Sequence, residues 1–451
     1  MRLPRALALA CFMLVALSSA LALEKQSATS YHARRVALGN ELHGGVAILF
    51  AAEEPVLDFD SYRQDSDFYY LTGWNEPGAA LMLVGPASAT EHQGQPTQAR
   101  EYKEILFLPT RNLRTEQYTG AKMDASTPGV SHITGIDNVE SMTSLAADLN
   151  KLISDDRRLA LNIWTQPRAK AADPLLDYTA ATLGNTATAP RDVTTLTLPL
   201  RELKDAGEIE LLKKASAASI AGQREMMRAV KPGETERTVA GAMTAAWFRQ
   251  GCERPSYAPI VGTGIDSTIL HYSENVRTIQ DGDIVVVDAA CEYSMYASDI
   301  TRTVPSNGHF TARQREIYDI VLGAQKAAIE AFRAGKSKIN DFSHRDPDTL
   351  DAVAFNYINT HGKDLHGQPL GKYWLHGLGH MVGIDVHDPA QYPAVLKPGM
   401  VFTIEPGVYI PEEKLGVRIE CDFLVLPDGK LLDLDAELPH TADEVEKAMQ
   451  K

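Results

Sequence analysis

The first half of the chain alternates short apolar runs with polar loops and stretches of helical spacing. Four runs predict strands, at residues 46–51, 80–84, 104–108 and 159–164, and helices are expected near 141–153 and 174–182. The dense aromatic residues of 62–74 predict buried core, with an exposed lip over a neighbouring site as the alternative. This alternation favours a small α/β domain that ends near 192–199, at the Thr-rich stretch VTTLTLP.

Beyond that stretch the pattern changes to pairs of helices followed by strands. Helical spacing predicts helices over 201–230, 235–250, 311–334 and 348–361, while prolines and glycines predict a loop over 255–264. Strand-rich segments follow each helix pair, at 281–304 and 374–426. No sequence repeat is visible, but the recurring order hints at a structural duplication within a mixed α/β (α+β) chain.

The first strand-rich segment contains two aspartates that a hairpin would bring together. In DGDIVVVDAACEYSMYASDITRTV, a buried strand at 285–287 and an alternating partner at 296–304 predict a turn around 292–295. The midpoint of that turn makes Asp288 and Asp299 a directly opposed pair, with Cβ atoms about 5 Å apart. Because two buried like charges repel, the pair indicates a metal site or a dyad that shares a proton, unless both carboxylates are solvated at a hairpin end.

The second strand-rich segment repeats this arrangement with glutamates. MVFTIEPGVYI and GVRIECDFLVL predict a hairpin with its turn near 411–415, which makes Glu405 and Glu420 opposite partners. Strand alternation places Arg418 on the face of Glu420 and turns Cys421 away from it. Arg418 is therefore expected to hold a carboxylate in position.

Four histidines accompany the two acid pairs. His376, His380 and His387 lie in HGLGHMVGIDVHD, which differs from a zincin helix because Gly377 replaces the glutamate and the other glycines oppose helix. We expect these glycines to let the backbone approach a ligand closely. His271, in ILHYSEN, is a fourth candidate. Four carboxylates with an imidazole suit two divalent cations such as Mn²⁺ better than a structural zinc, and such a centre hydrolyses amides or esters.

Composition and the first residues of the chain indicate which partners and which cellular compartment are expected. The formal net charge is −15, and the loss of residues 1–22 would leave 42 basic against 59 acidic residues. That surface argues against nucleic-acid or anionic-membrane partners. Residues 1–22 combine a basic start, a short apolar run and an A-x-A site, which predicts a signal peptide cleaved after Ala22 and a periplasmic or secreted protein. The three remaining cysteines, Cys252, Cys291 and Cys421, allow at most one disulfide.

These motifs resemble those of aminopeptidase P, a family of proline-specific metallopeptidases with the pita-bread fold. The blocks that carry the resemblance are DAACEYSMYASDITRTVP, HGLGHMVGIDVHD, EPGVYI and GVRIE, and YRQDSDFYYLTGWNEP resembles the amino-terminal domain of the family. After the predicted signal peptide over 1–22, the resemblance implies an aminopeptidase P amino-terminal domain over 23–195 and a pita-bread catalytic domain over 196–451, although an export signal is unusual beside the cytoplasmic bacterial members of the family. The resemblance also implies removal of the first residue from peptides that have proline in second position.

The resemblance assigns a role to each candidate residue. It implies that Asp299 and Glu420 bridge two divalent metal ions, that Asp288 completes one site, and that His380 and Glu405 complete the other. A bridging hydroxide would attack the peptide bond with Glu405 as general base. His271 and His387 would bind substrate and stabilise the oxyanion, His376 would line the proline pocket, and Arg418 would orient the bridging glutamate. Mn²⁺ is the expected metal, with Co²⁺ or Zn²⁺ as alternatives.

The chain departs from the family pattern at Cys421, where relatives often carry an acid, and in its short 411–415 turn. The resemblance also implies a homodimer or homotetramer in which one amino-terminal domain approaches another subunit's site. The alternatives are a prolidase restricted to Xaa-Pro dipeptides, a creatinase-like amidinohydrolase without metal, and a binding module without catalysis. The complete set of five ligands disfavours the last two.

Overall fold

The computed structural model describes residues 23–55, 61–89, 91–92, 95–96, 98–156, 158–159, 162–167, 190–340, 346 and 348–450. The predicted signal peptide and the predicted helix at 174–182 lie outside these residues. Within them, no helix combines the length and apolar character needed to cross a membrane.

A mixed sheet forms the centre of the amino-terminal half, with the described strands in the order β6-β5-β2-β1-β7-β8. Its elements are α1 (Ala28–Glu41), β1 (Val46–Phe50), α2 (Ser66–Thr72), β2 (Ala80–Val84), β3 (Glu91–His92), β4 (Gln95–Pro96), β5 (Lys103–Leu108), α3 (Glu116–Thr119), α4 (Val130–Thr134), β6 (Val139–Ser141), α5 (Leu145–Asp155), β7 (Ile163–Thr165) and β8 (Arg191–Asp192). Strands β1, β2 and β5 pair antiparallel and are buried on both faces, as their continuous apolar runs predict.

In this half, the strand expected at 159–164 differs from the prediction, whereas the aromatic stretch agrees with it. The strand expected at 159–164 is shorter and later, because Leu159 is buried in a turn before β7 begins at Ile163. Phe68, Tyr69 and Trp74 are buried, so the interpretation of the aromatic stretch as core is confirmed. A buried ion pair between Arg35 and Glu104 joins α1 to the central strand β5.

The segment after the sheet is two helices rather than the single helix expected over 201–230. These are α6 (Thr194–Glu202) and α7 (Ala206–Ala229). The second helix begins where it does because Asp205 forms a capping box with Glu208, in which each side chain accepts a hydrogen bond from the other residue's backbone N–H. Arg201, in the last turn of α6, and Lys204, in the break between the helices, are both buried.

The carboxyl-terminal half contains the two helix pairs and two broken hairpins. Its further elements are α8 (Glu236–Arg249), β9 (Arg254–Pro255), β10 (Ile260–Thr263), β11 (Ile284–Asp288), β12 (Cys291–Glu292), β13 (Thr301–Pro305), α9 (Ala312–Ala331), α10 (Leu350–His361), β14 (Val401–Ile404), β15 (Gly407–Ile410), β16 (Leu415–Arg418), β17 (Cys421–Val425), β18 (Leu431–Asp433) and α11 (Ala442–Met449). The expected loop over 255–264 is wrong at its end, because β10 lies there and pairs with β11. Gly262 permits this, since a Cβ at that position would lie 2.6 Å from the carbonyl oxygen of Asp266.

The first hairpin has a register two residues away from the predicted one. Asp288 pairs with Thr301 rather than with Asp299. The turn is the two-residue Ser294–Met295, where both residues have positive φ, and Tyr293 and Tyr296 close it with mutual backbone hydrogen bonds. A shift of two residues keeps both aspartates on one face, so they remain neighbours although they are not directly opposed.

The second hairpin has the predicted register. Ile404 pairs with Cys421 on one side of the glutamates, and Gly407 pairs with Arg418 on the other side. Glu405 and Glu420 are therefore opposite each other. The ladder is interrupted at the glutamates, and their backbone N–H groups bond to other segments, from Glu405 to the carbonyl of Leu378 and from Glu420 to that of Thr301. Both acid pairs therefore lie where regular pairing stops.

Candidate metal centre

The structure brings the two acid pairs and His380 together at one end of a cavity of about 540 Å³. Oxygens of Asp288, Asp299 and Glu420 lie within 4.8 Å of one another, and ligand atoms of His380, Glu405 and Glu420 do the same. Glu420 is common to the two groups. Ligand atoms of Asp299, His380 and His387 form a third such group, so the arrangement is three overlapping sets of three donors, two of which share Glu420.

The electrostatics of this cluster fit divalent cations. Burial and the neighbouring carboxylates raise the pKa of Glu420 well above its usual value, and burial and Asp288 raise the pKa of Asp299. Burial raises the pKa of Glu405 to about 8, with His380 opposing the shift and Asp299 adding to it. Carboxylates crowded in this way lack positive charge, and two hard divalent cations would supply it with the oxygen-rich ligands that they prefer.

His380 directs its Nε2 towards the carboxylates of the cluster. Its Nδ1 donates to the carbonyl of Met381, so its Nε2 faces Asp299 at 3.3 Å and Glu405 at 3.6 Å. Burial lowers the pKa of His380, but the two carboxylates outweigh burial and raise it to about 9. A bond from the second ring nitrogen to a carbonyl is typical of a histidine that binds a metal.

Three other side chains hold the carboxylates. The hydroxyl oxygen of Tyr257 lies 2.6 Å from an oxygen of Asp288 and 2.5 Å from an oxygen of Asp299, so the two carboxylates share its single proton. Arg418 donates to Asp288 at 2.5 Å, which agrees with the expectation that it holds a carboxylate in position. Its link to Glu420 is indirect, because Arg418 donates to the hydroxyl of Thr301, which donates to Glu420 at 2.6 Å. Alternation along a strand defines a face but not the partner on it.

The remaining histidines also line the cavity. His376 donates from Nδ1 to the carbonyl of Gly377 and contacts the hydroxyl of Tyr409 through Nε2, and burial lowers its pKa to about 4. Partial desolvation at the cavity mouth and the neighbouring His380 lower the pKa of His387 to about 4. Both imidazoles are therefore neutral near pH 7. His271 is exposed on the same wall.

The two glycines of HGLGH are packed tightly against neighbouring protein atoms. A Cβ on Gly379 would lie 2.1 Å from the carbonyl oxygen of Thr403, because this segment pairs with the end of β14. A Cβ on Gly377 would lie 2.9 Å from the side chain of Asn340. Both glycines also line the cavity, so the expectation that the backbone approaches a ligand there stays a prediction.

Sequence reasoning missed Tyr257 and Leu198 as residues of the site. Leu198, on α6, contributes to the cavity wall from a segment far away in the chain. Tyr257 lies in PSYAP, where a lone aromatic residue between prolines gave no indication of its partners. Cys421 is buried away from the cluster, as alternation predicts, and contacts Arg302 and His440.

Two glutamines support the acid pairs in the same way. The Nε2 of Gln223, on α7, donates to the carbonyls of Ala289 and Ile300, which directly follow Asp288 and Asp299. The Nε2 of Gln325, on α9, donates to the carbonyls of Ile404 and Ile419, which directly precede Glu405 and Glu420. Each amide thus bonds to both strands of its hairpin beside its acid pair. This supports the structural duplication that the order of elements suggests.

Two family models match successive parts of this chain. The model of metallopeptidase family M24 matches residues 210–427, and that of the aminopeptidase P amino-terminal domain matches residues 31–161. Xaa-Pro aminopeptidase of Escherichia coli K12 is 32% identical over 450 residues, covering 94% of this chain and 98% of that protein. Proline aminopeptidase P II from Yersinia pestis superposes with a TM-score of 0.77 at 31% identity, covering 94% and 100% of the two chains. A variant of Escherichia coli aminopeptidase P in complex with substrate gives a TM-score of 0.79 at 29% identity, covering 95% and 99%.

The fold and the acidic centre define a metallo-hydrolase, and the chain belongs to metallopeptidase family M24. Within that pita-bread family it belongs to aminopeptidase P and is a metal-dependent aminopeptidase. Membership confirms the resemblance and the fold class, and it implies divalent metal ions.

Replacing Gln325 or Gln223 by Met should weaken metal binding about tenfold or more, because each amide fixes the strands that present an acid pair. Isothermal titration of metal-free protein with Mn²⁺ measures this loss. Gln314→Met is the matched control, since Gln314 also lies on α9 and donates to a carbonyl, that of Gly282, away from the acid pairs. Unchanged affinity in both test variants would contradict the assigned role.

Proposed function

We propose that this aminopeptidase removes the first residue from peptides with proline in second position. The observation that carries the proposal is the buried cluster of Asp288, Asp299, His380, Glu405 and Glu420, in two donor sets that share Glu420. The Escherichia coli relative, a protein named Xaa-Pro aminopeptidase, matches along nearly the whole chain.

The donor sets suggest how two cations would be held. Asp299 and Glu420 would bridge the two ions, Asp288 would complete one site, and His380 with Glu405 would complete the other. When bound, the ions would activate a water molecule as the nucleophile and neutralise charge that develops on the carbonyl oxygen. We propose Mn²⁺ as the metal because four of the five donors are carboxylates, with Co²⁺ or Zn²⁺ as alternatives.

The side chains around the cluster would handle protons and position the substrate. Glu405 would accept the proton that the attacking water loses and return it to the proline nitrogen as the C–N bond breaks. His271 and His387 line the cavity and would bind the substrate, with neutral His387 donating towards the carbonyl oxygen. His376, stacked on Trp374 and bonded to Tyr409, would form the wall of the proline pocket.

The cavity favours longer peptides over dipeptides. A prolidase must recognise the free carboxylate of an Xaa-Pro dipeptide, which calls for an available cation. Among the described residues that line the cavity, Arg418 carries the only permanent positive charge, and Asp288, Thr301 and Tyr409 already engage it. We therefore favour the aminopeptidase over the prolidase.

We also propose that the protein is exported to the periplasm or secreted after cleavage behind Ala22, and that it assembles as a homodimer or homotetramer. The disulfide between Cys252 and Cys291 supports export, since such bonds persist in oxidising compartments. Amino-terminal sequencing of protein recovered outside the cytoplasm should begin at Leu23; an intact Met1 there would contradict the proposed cleavage.

Dialysis against a chelator should abolish release of the first residue from an Xaa-Pro-Yaa tripeptide, and Mn²⁺ should restore it. Asp299→Ala should lower kcat/KM at least about 10³-fold even with excess Mn²⁺, because it removes a shared ligand. Liquid chromatography of the products measures both effects, with circular dichroism as the control for folding. Equal release from Xaa-Ala-Yaa peptides would argue against proline specificity.

A series of Xaa-Pro, Xaa-Pro-Yaa and Xaa-Pro-Yaa-Zaa peptides separates the two proline-specific activities. The tripeptide should have a kcat/KM at least about tenfold above that of the dipeptide, because the described cavity offers no unengaged arginine or lysine for a dipeptide carboxylate. Preference for the dipeptide would establish the prolidase instead.

A further inference from the structure

His387 lines the cavity beside the metal centre without the backbone anchor that two of its neighbours have. His376 and His380 each bond to a backbone carbonyl, whereas within the described residues the imidazole of His387 has a ring contact with His380, at 4.1 Å between centroids, and no hydrogen bond. An unbonded side chain is placed by its backbone and its packing alone. The position of His387 therefore depends on what holds the loop that carries it.

The adjacent residue, Asp388, forms hydrogen bonds to other residues of this loop through both its backbone and its side chain. Its N–H donates to the carbonyl of Met381 at 2.9 Å, and its carboxylate accepts from the N–H of Asp385 at 3.2 Å. Gly383 lies against the same carboxylate, since a Cβ there would be 2.5 Å from its oxygen. The loop is thus wrapped around the side chain of Asp388.

Two buried cations hold that carboxylate, one from the last turn of α6 and one from the turn between α6 and α7. Arg201 donates to Asp388 at 2.6 Å, and Lys204 donates to its other oxygen at 2.9 Å. All three side chains are almost completely buried. Replacement of buried ion pairs by apolar residues is often neutral or stabilising, so stability alone gives little reason for this cluster.

The cluster continues into the amino-terminal half of the chain. The guanidinium of Arg201 also donates to Asp67 on α2 and to Asp385 on the loop, and the hydroxyl of Ser66 donates to Asp385. Arg63 donates to the carbonyl of Ile384 and to Glu292 on β12. The loop of His387 is therefore attached to residues on both sides of the predicted domain boundary.

We propose that Asp388, held by Arg201 and Lys204, is a positioning residue that fixes the backbone of His387 at the metal centre. Asp388 acts through His387 and contributes no group to the reaction. The amino-terminal half thereby influences catalysis through Ser66, which bonds to Asp385 on the loop, and through Asp67, which bonds to Arg201. The inference rests on the proposed role of His387 in the cleavage of Xaa-Pro peptides.

A double-mutant cycle between Asp388→Asn and His387→Ala tests the proposal with the Mn²⁺-loaded full-length protein. Asp388→Asn should lower kcat/KM on an Xaa-Pro-Yaa tripeptide about tenfold or more, mainly through kcat, because a small displacement of a group that contacts the reacting atoms is costly. In the His387→Ala background the same change should cost less than about twofold. Metal content by mass spectrometry should equal that of the wild type.

Asp385→Asn is the second variant in case Asp388→Asn does not fold. Its side chain is 36% exposed and loses only bonds to Arg201, Arg63 and Ser66, so a smaller loss with the same dependence on His387 is expected. Glu104→Gln is the matched control, because it breaks the buried Arg35–Glu104 pair far along the chain from this loop. It should lower thermal stability and leave kcat/KM unchanged.

The outcomes separate this inference from the proposed function. A wild type without activity on Xaa-Pro peptides would sink the proposed function. In that case, nitrogen NMR of histidine-labelled protein still tests the positioning, because Asp388→Asn should shift or broaden the signal of His387 more than that of His376. An active wild type in which Asp388→Asn costs the same with and without His387 would overturn the positioning role, as would an unchanged His387 signal.

Discussion

Four carboxylates gathered in a buried cluster are the constraint on which the rest of this structure depends. Such groups repel and are poorly hydrated, so each needs a donor or a cation. Tyr257, Thr301 and Arg418 supply donors to three of the acids, and His380 faces the other side of the cluster. These contacts leave the pKa of Glu405 and of Glu420 raised, so the protein groups alone do not balance the charge. The divalent ions that family membership implies would complete the balance.

The regular backbone hydrogen bonding of both hairpins is interrupted where the acid pairs lie. Each hairpin ladder stops beside an acid pair, and an interrupted ladder leaves buried carbonyls that need donors. Gln223 and Gln325 satisfy two carbonyls each, from helices that precede the respective hairpins. Because the two arrangements correspond, one structural solution is used twice.

Much of this site could be predicted from the sequence, and the exceptions have physical causes. The midpoint of the second turn gave the correct register, since regular pairing continues on both sides of the glutamates. The predicted midpoint of the first turn differs from the observed one, because Ser294 and Met295 form a turn in which both residues have positive φ. Such a turn is normally recognised in a sequence by a glycine or an asparagine, and this one has neither. The prediction of a shared face survived, since a register error of two residues preserves the side of the sheet.

Contacts between distant segments could not be predicted in this way. Periodicity placed Arg418 on the correct face but not against Asp288, and it gave no role to Tyr257. Both partners depend on how separate hairpins and loops pack, which no local pattern records. The family models show a similar limit, because residues 162–209 lie between their matches and yet supply Leu198 to the cavity wall.

That intervening segment changes how the division of the chain should be understood. The predicted boundary near 192–199 separates two sequence patterns, and it stays a prediction. The described contacts cross it: Arg201 bonds to Asp67 on one side and to Asp388, beside His387, on the other. Residues outside the metal cluster can therefore alter the geometry of the cavity without touching a ligand. A chain that keeps all five proposed metal ligands could still differ in substrate preference from its relatives through this segment, because metal binding and the placement of His387 are held by separate sets of contacts.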